Sequence, residues 1–419
     1  MNSKIKVGII IENSLSSGGI YSNEISFLNH LQNNQKIEYK IFSINKKNVH
    51  YLKKIGFEAI FIDLNLLDYL LCKIKILLLS LTTNFKFKKI VGKVFKNLKF
   101  EKILLANKIN LVHFFSLSFL SKHLFKINYG CTYLDSCHLA YPEFPEIKNW
   151  NGFNEREDAY ERILKKASYI LSPSENCTLE ITNRYNVLKS KILEFSFLPQ
   201  KEILDFDQKE KVQLKKFVEL KNLFNFDNNY LFYPAMLWPH KNHIYILKAI
   251  SILKKKYKKI VQVVFSGKDK GNKKYLIKNA IDLDIEKNIK FIGLVDAELM
   301  PHLYKNSFCL VMPTYFGPIN IPPIEANYLG VPVMYNKDYC EKDNIFSPHL
   351  GIDIQDPNDL VEKYFKLMDE NFRKNLINSG YEFIKVLEEK NKNFISSFEN
   401  YLRAYINKIE LYENRLNDL

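Results

Sequence analysis

The chain lacks most of the features that declare a function quickly. Its six cysteines, Cys72, Cys131, Cys137, Cys177, Cys309 and Cys340, are scattered, and none stands in CxxC spacing with another. That argues against a zinc site or a disulfide framework and for reduced core thiols, hence a cytoplasmic setting. No segment offers about 18 uncharged apolar residues in a row, so no transmembrane helix is expected. The opening MNSKIKVGIII is too short an apolar run for a signal peptide. The first glycine loop is not GxGxxG, and no Asp-x-Asp motif stands out as a metal holder. What the chain has is bulk and positive charge. Its 419 residues suggest two or three domains, and a hydrophobic content of 47% is ample for large cores. Lys and Arg number 61 against 46 Asp and Glu, a net +15 that points to an acidic partner: nucleotide phosphates, a membrane surface or nucleic acid.

The order of elements sets the fold class. Lys4 to Ile11 is a β-branched run that reads as a buried parallel strand. Ser16–Ser17–Gly18–Gly19 follows, then Ile20, Ile25, Leu28 and Leu31 at helical spacing. Glycines between a strand and a helix let backbone approach a phosphate or a sugar, or simply make a tight turn. Strands at 39–42, 59–62, 111–115, 129–134, 169–171 and 192–195 alternate with helical stretches, which implies a doubly wound α/β domain over 1–205. Inside it, 66–102 is an unusual insert. A leucine-rich run holds Lys73 and Lys75. Then Phe87, Ile90, Val91, Val94, Phe95 and Leu98 share one helical face, with Lys86, Lys89, Lys93 and Lys96 on the other. Such a helix can lie in an anionic membrane interface or pack its apolar face on the sheet.

Residues 206–228 are charged and weakly patterned and read as a linker. A second α/β series follows over 229–395, with strands at 231–235, 261–266, 289–292, 308–312 and 331–335. The region from about 375 to 419 reads as helix, with 396–419 set apart from the second domain as a C-terminal helix. Two α/β domains joined by a linker imply a cleft, the usual place for a ligand. Three polar loops fall on one edge of the second series: Trp238–Pro239–His240–Lys241–Asn242, Ser266–Gly267–Lys268–Asp269–Lys270, and Pro313 to Asn320. The last runs into Pro322–Pro323–Ile324–Glu325, a helix start, with Gly330 as its C-terminal stop. A lysine at a helix N-terminus is wrong for the dipole unless an anion sits there too. In the first half, Asp135–Ser136–Cys137–His138 follows a strand and places a histidine where α/β sheets bind ligands.

These stretches resemble a known family. LFYPAMLWPHKN (231–242), FSGKDKGN (265–272), FIGLVDAELMPHLY (291–304) and the stretch from Pro313 to Val333 look like the donor-binding half of retaining GT-B glycosyltransferases of the family 4 type, glycosyl transferases group 1. The last is similar to a branch with an FGPxNxPPxEA loop. Gly18–Gly19, Asp135 to His138 and Ser172–Pro173–Ser174–Glu175 resemble the acceptor-side half. The resemblance implies two Rossmann-like domains facing across a cleft, with the C-terminal helix packing back on the first domain. It implies a nucleotide-diphosphate sugar as co-substrate, no further cofactor and no metal. Lys241 would contact the diphosphate and Glu325 a ribose hydroxyl. Backbone groups at Asn320 and Ile321 would meet phosphate or sugar oxygens, and Gly18 and Gly19 the phosphate. His138 would lie near the donor sugar, with Gly267 and Lys268 at the cleft and Leu294 and Val295 by the base. Two residues depart from the pattern. Gly317 stands where the first motif glutamate is expected, and Met236 where an arginine accompanies the lysine. Asn320 is the candidate for the sugar contact, and Lys268 or Lys270 for the missing charge.

The expected activity is transfer of a hexose, mannose-like, to a growing bacterial surface polysaccharide of O-antigen or capsule type, with retention of configuration. Expected partners are the nucleotide-sugar donor, a glycan or lipid-linked acceptor, and an anionic membrane surface for the insert. The alternatives are a non-catalytic member that binds nucleotide sugar or glycan, and a GT-B sugar-nucleotide epimerase. Nucleic acid is not an expected partner, since only net charge favours it and no recognition motif does.

Overall fold

The computed structural model describes residues 6–13, 19–32, 37–81, 84–95, 98–149, 152–197, 199–206, 210–317, 320–340 and 349–416. Gly18 and Lys96 lie outside these residues.

The apolar runs of the first half become seven parallel strands: β1 (Lys6–Ile11), β2 (Glu38–Ser43), β3 (Ala59–Phe61), β4 (Leu111–Phe114), β5 (Asn128–Thr132), β6 (Tyr169–Ser172) and β7 (Ile192–Glu194). Their order is β3-β2-β1-β4-β5-β6-β7. Six more, β8 (Tyr230–Pro234), β9 (Val263–Ser266), β10 (Ile289–Gly293), β11 (Ser307–Met312), β12 (Val333–Asn336) and β13 (Leu350–Ile352), form a second sheet in the order β10-β9-β8-β11-β12-β13. Strand composition follows burial. Parallel strands are covered on both faces, so β-branched and aromatic residues fill them without alternation, as in the fully buried Tyr230, Leu231, Phe232 and Tyr233. Connections run outward both ways from the β1/β4 pair in one sheet and the β8/β11 pair in the other. Loops at the carboxyl ends of these strands part there and leave a crevice.

Three segments differ from the sequence expectation. Residues 210–224, within the expected linker, are helical, and Phe217 joins the core of the second domain with Phe226 beyond it. The segment is highly charged because most of its circumference is exposed. β13 was not anticipated; it is three residues long. The C-terminal helix begins five residues before the expected 375 and does not break at 396, running unbroken over Glu370–Leu416. At 47 residues it is about 70 Å long. It starts on the second domain, where Arg373 Nη2 donates to the Phe308 carbonyl at 2.7 Å. It ends on the first, where Phe394, Phe398 and Leu402 enter the core. Between them Asn391, 1% exposed, exchanges two hydrogen bonds with the Ser196 backbone at 3.0 and 2.8 Å.

The insert folds as two helices, Leu66–Ser80 and Phe85–Val94. On the first helix the usual polarity is inverted. Lys75 is buried there beside Cys72, 4% exposed, with its ammonium 3.1 Å from the Phe95 carbonyl and 3.3 Å from the centre of the Phe125 ring. The leucines face outward: Leu67, Leu70, Ile74, Leu77 and Leu81, at 3-4-3-4 spacing, are all exposed, as are Phe87, Ile90 and Val94. The apolar face expected either at a membrane or on the sheet is thus divided: Val91 and Leu98 are buried and Phe95 half-buried, while Phe87, Ile90 and Val94 face outward. No helix among the described residues is long and apolar enough to cross a membrane.

Candidate active site

The crevice between the domains is closed by contacts from both sides. On the second domain, the short 3-10 turn Pro239–Lys241 carries His240, whose ring stacks on Phe316 at 4.2 Å and 12°. The His240 carbonyl accepts from the Tyr315 N–H at 2.9 Å, so the loops after β8 and β11 move as one unit. On the first domain, Glu146 reaches across. Its Oε1 accepts from the His240 backbone N–H at 3.2 Å and bonds the imidazole Nδ1. Tyr141 and Phe144 pack against Tyr315 and Phe316 around this bond. Glu146 was not singled out in the sequence; a glutamate in a Pro-rich loop carries no periodic signal.

Lys241 follows directly. Asn242, at φ 56°, turns the chain from the 3-10 segment into the helix His243–Tyr257 and leaves Lys241 at the crevice. Burial pushes its ammonium down to about 8, while Asp135, Cys137 and Glu146 from the opposite domain pull it back up. Among the described residues it has no hydrogen bond or ion pair. A half-desolvated, unpaired cation is a receptor for an anion.

The loop after β11 presents Gly317 at φ 97° and then the helix Ile321–Tyr328. Pro322 and Pro323 in its first turn lack N–H groups, so the orphan donor inside this first turn is the Ile321 N–H. The Asn320 side chain does not cap the helix. Its Nδ2 donates to the Gly317 carbonyl and to the Tyr335 hydroxyl, both at 2.7 Å, and Tyr335 in turn donates to the same carbonyl at 2.7 Å. The Gly317 N–H donates to Cys137 Sγ of the first domain at 3.5 Å. That bond brings the expected sugar-contacting loop against the segment holding His138.

His138 is fully buried in the short helix Cys137–Ala140. Its Nε2 is 2.6 Å from Glu157 Oε1, which also accepts from the Tyr185 hydroxyl at 2.9 Å. Burial holds the imidazole below its usual range against the upward pull of Glu157. Nδ1 is buried and has no partner among the described residues.

Glu325 sits one turn into its helix, 4% exposed. It accepts from the Tyr304 hydroxyl at 2.7 Å and from the Gln200 backbone N–H at the crossing between domains. Burial raises its carboxyl to about 7. The remaining expected residues lie along the same edge. Gly267 follows β9, and its missing side chain lets the loop close on β8: a β-carbon there would be 2.2 Å from the Ala235 carbonyl oxygen. Lys268 is exposed, and the Lys270 ammonium lies 5.2 Å over the Trp238 ring. Leu294 is exposed and Val295 half-buried after β10. Gly19 opens the helix Gly19–Gln32 after β1. Among the described residues no His, Cys, Asp and Glu cluster could hold a metal ion.

Comparison with known proteins follows the same division. Residues 215–383, most of the second domain, match the family model described as Glycosyl transferases group 1. The whole chain is similar to a crystal structure of a glycosyltransferase from Rickettsia africae ESF-5, at 13% identity over 96% of this chain and 99% of that one, with a TM-score of 0.67. It is also similar to Anabaena Alr3699/HepE in complex with UDP-glucose, at 11% identity over 94% and 100% of the two chains, TM-score 0.64. A third likeness is to WaaG, a glycosyltransferase involved in lipopolysaccharide biosynthesis, at 12% identity over 90% and 95%, TM-score 0.61. Comparison with curated protein sequences finds no match. The fold is therefore GT-B, and the likeness to glycosyl transferases group 1 is carried by residues 215–383 of its second domain.

Proposed function

We propose that this chain transfers a hexose from a nucleotide-diphosphate sugar to a glycan acceptor of bacterial surface-polysaccharide type, with retention and without a metal. The observation that carries the reading is Lys241, an unpaired cation at the end of β8, facing the same crevice as the free N-terminus of the helix Ile321–Tyr328. Together they supply what a leaving nucleoside diphosphate needs as charge develops on it. Gly19 adds an N–H from the first domain, and Lys268 or Lys270 the charge that Met236 does not. Asn320 and the Gly317 backbone meet the donor sugar, and His138 positions it through the unpartnered Nδ1. Glu325 takes a ribose hydroxyl with acceptor capacity that Tyr304 and Gln200 leave unused. Gly267, Leu294 and Val295 line the base. The acceptor hydroxyl attacks on the face the diphosphate leaves, and the departing phosphate takes its proton.

The helical hairpin supports a further part of this reading: docking on the anionic cytoplasmic face of a membrane. Exposed Leu67, Leu70, Leu77, Ile90 and Val94 supply apolar contact, and exposed Lys73, Lys86, Lys89 and Lys93 supply charge.

A thermal-shift panel of nucleotide sugars followed by a nucleotide-release assay tests the activity. One or more donors should raise the melting temperature and release nucleotide. A flat panel would remove the transferase reading, and binding without release would favour the non-catalytic alternative. Sedimentation with phosphatidylglycerol vesicles tests the docking. Changing the four lysines to Glu should abolish pelleting, and unchanged pelleting would remove the membrane role.

A further inference from the structure

We propose that a pocket between the domains is the acceptor subsite, taking one neutral pyranose of a saccharide among the rings of Tyr141 and Tyr339 and the charged side chains of Glu180, Arg184 and Asp338. This rests on the transferase reading and names the binding surface of its acceptor half. The pocket is a cavity of about 120 Å³, many times the roughly 10–15 Å³ that one water requires. Both domains line it. Glu180 and Arg184 come from the helix Glu175–Tyr185 of the first domain, and Asp338 and Tyr339 from the short helix Lys337–Cys340 that follows β12 in the second. Glu180 and Arg184 stand four apart, the spacing that ordinarily makes an ion pair on a helix. Among the described residues they make none. The Tyr133 hydroxyl and Ser136 Oγ, beyond β5, both donate to Glu180 Oε2 at 2.8 Å and hold the carboxylate on their own side of the cavity. Glu180 Oε1, the Arg184 guanidinium and the Asp338 carboxylate have no hydrogen bond or ion pair among the described residues.

The lining selects the ligand. Two carboxylates only accept and one guanidinium only donates, with a sum of one negative charge. That sum opposes a nucleotide or any other polyanion. An ammonium ligand would suit the carboxylates and oppose Arg184. A sugar hydroxyl donates to a carboxylate and accepts from a guanidinium, so a neutral polyol serves both kinds of group with charge-assisted bonds. The aromatic residues supply the rest. Tyr141 stacks on Phe316 at 5.8 Å and 30°, and Tyr339 on Tyr335 at 5.7 Å and 29°, so a neighbour fixes each ring in place. The Tyr339 hydroxyl also donates to the Tyr315 carbonyl at 2.6 Å. Rigid rings beside a few convergent polar groups fit the C–H face of a pyranose together with its hydroxyl edge. The location agrees. Cys137 forms part of the wall, and its Sγ accepts from the Gly317 N–H at 3.5 Å. The pocket and the loop assigned to the donor sugar thus meet at one cysteine, and a saccharide held here has its hydroxyls beside the group to be transferred.

The test uses the full chain and saturation-transfer NMR with the methyl glycosides of glucose, mannose, galactose and N-acetylglucosamine, and with glucosamine and glucuronate as charged controls. Nucleotide-sugar binding is read by thermal shift on the same samples. At least one methyl glycoside should bind. Ala140→Trp, which fills the cavity from an exposed position on its rim, should abolish that binding. Arg184→Ala and Glu180→Gln should each weaken it tenfold or more. Arg184 is exposed, so Arg184→Ala should melt at the parent temperature, which separates lost recognition from lost folding even where Glu180→Gln does not fold. Equal glycoside binding in parent and Arg184→Ala would overturn the proposal, as would equal binding in parent and Ala140→Trp. So would binding of glucosamine or glucuronate alone, binding of no sugar, or loss of nucleotide-sugar binding in Arg184→Ala. If the glycosides bind as expected but no nucleotide sugar does, the transferase reading fails and the saccharide subsite stands.

Discussion

Gly317 and Asn320 occupy one space. A β-carbon built on Gly317 would lie 2.6 Å from Asn320 Nδ2 and 2.9 Å from Oδ1, and the Asn320 amide fills the place a residue-317 side chain would take. The position where the resembled family carries a glutamate is thus closed by an amide from three residues on, bonded back to the Gly317 carbonyl. Gly317→Ala should displace Asn320 and strain a backbone held at φ 97°. The expected cost is about 1–3 kcal/mol of stability, with a raised donor KM. Asn320→Ala should raise the donor KM with little change in melting temperature. Equal donor KM in parent and both variants, measured by nucleotide release, would deny this loop a role in donor binding.

Lys241 gives the donor site a pH dependence. Its ammonium is held near 8, below its ordinary 10.5, so the free protein loses this charge as the pH rises through 8. A bound diphosphate favours the charged form. Donor affinity should therefore hold below pH 8 and fall by up to tenfold for each unit above it. Titration calorimetry from pH 6.5 to 9.5 reads the slope, and Lys241→Ala should flatten it while weakening binding throughout.

Glu146 holds the domains together through His240. Glu146→Gln keeps the shape but weakens both bonds, and Glu146→Ala removes them from a mostly buried site. The alanine variant should lose about 1–3 kcal/mol. Its radius of gyration by small-angle scattering should increase. An unchanged radius would show that the aromatic contacts around His240 hold the closed form alone.

Glu325 contributes to the pH dependence of stability. Its folded carboxyl titrates near 7, against about 4.5 when unfolded. Between these values the folded chain keeps a proton that the unfolded chain has released, so this contribution is full below pH 4.5 and is lost as the pH rises through 7. Denaturant unfolding at pH 5 and pH 8 should show a larger loss for the parent than for Glu325→Gln.

Asn391 ties the long helix to the first domain with two bonds to the Ser196 backbone. Asn391→Ala leaves a buried N–H and carbonyl unpaired and should cost about 2–4 kcal/mol, at 1–2 for each group. A loss under 0.5 kcal/mol in urea unfolding would mean the helix is held by its apolar face alone.

Much of the architecture was legible in the sequence because parallel strands here are short, unbroken apolar runs. β1, β4, β8 and β11, the strands that flank both crevices, are the plainest of them. The donor edge was legible because glycines, prolines and Lys241 stand at strand ends where only a turn or a ligand explains them. What escaped depended on which way a side chain turns. The insert's leucines read as core or membrane from their spacing, and the buried Lys75, anchored on Phe125, decides that they face outward. Glu146 carried no signal, because its partner His240 lies 94 residues away and across the cleft.

The helix Glu370–Leu416 also fixes how the crevice can open. Leu376 packs against the core of the second domain and Ile384 against that of the first, and between them lies the pair Ser379–Gly380. A rod seated at both ends cannot let the domains slide apart. It permits rotation about the handover point, where a Gly/Ser pair lowers the resistance to bending. Admission of substrate then becomes a flexural mode of one helix, and amide hydrogen exchange at 379–381 should quicken in a variant that favours the open form.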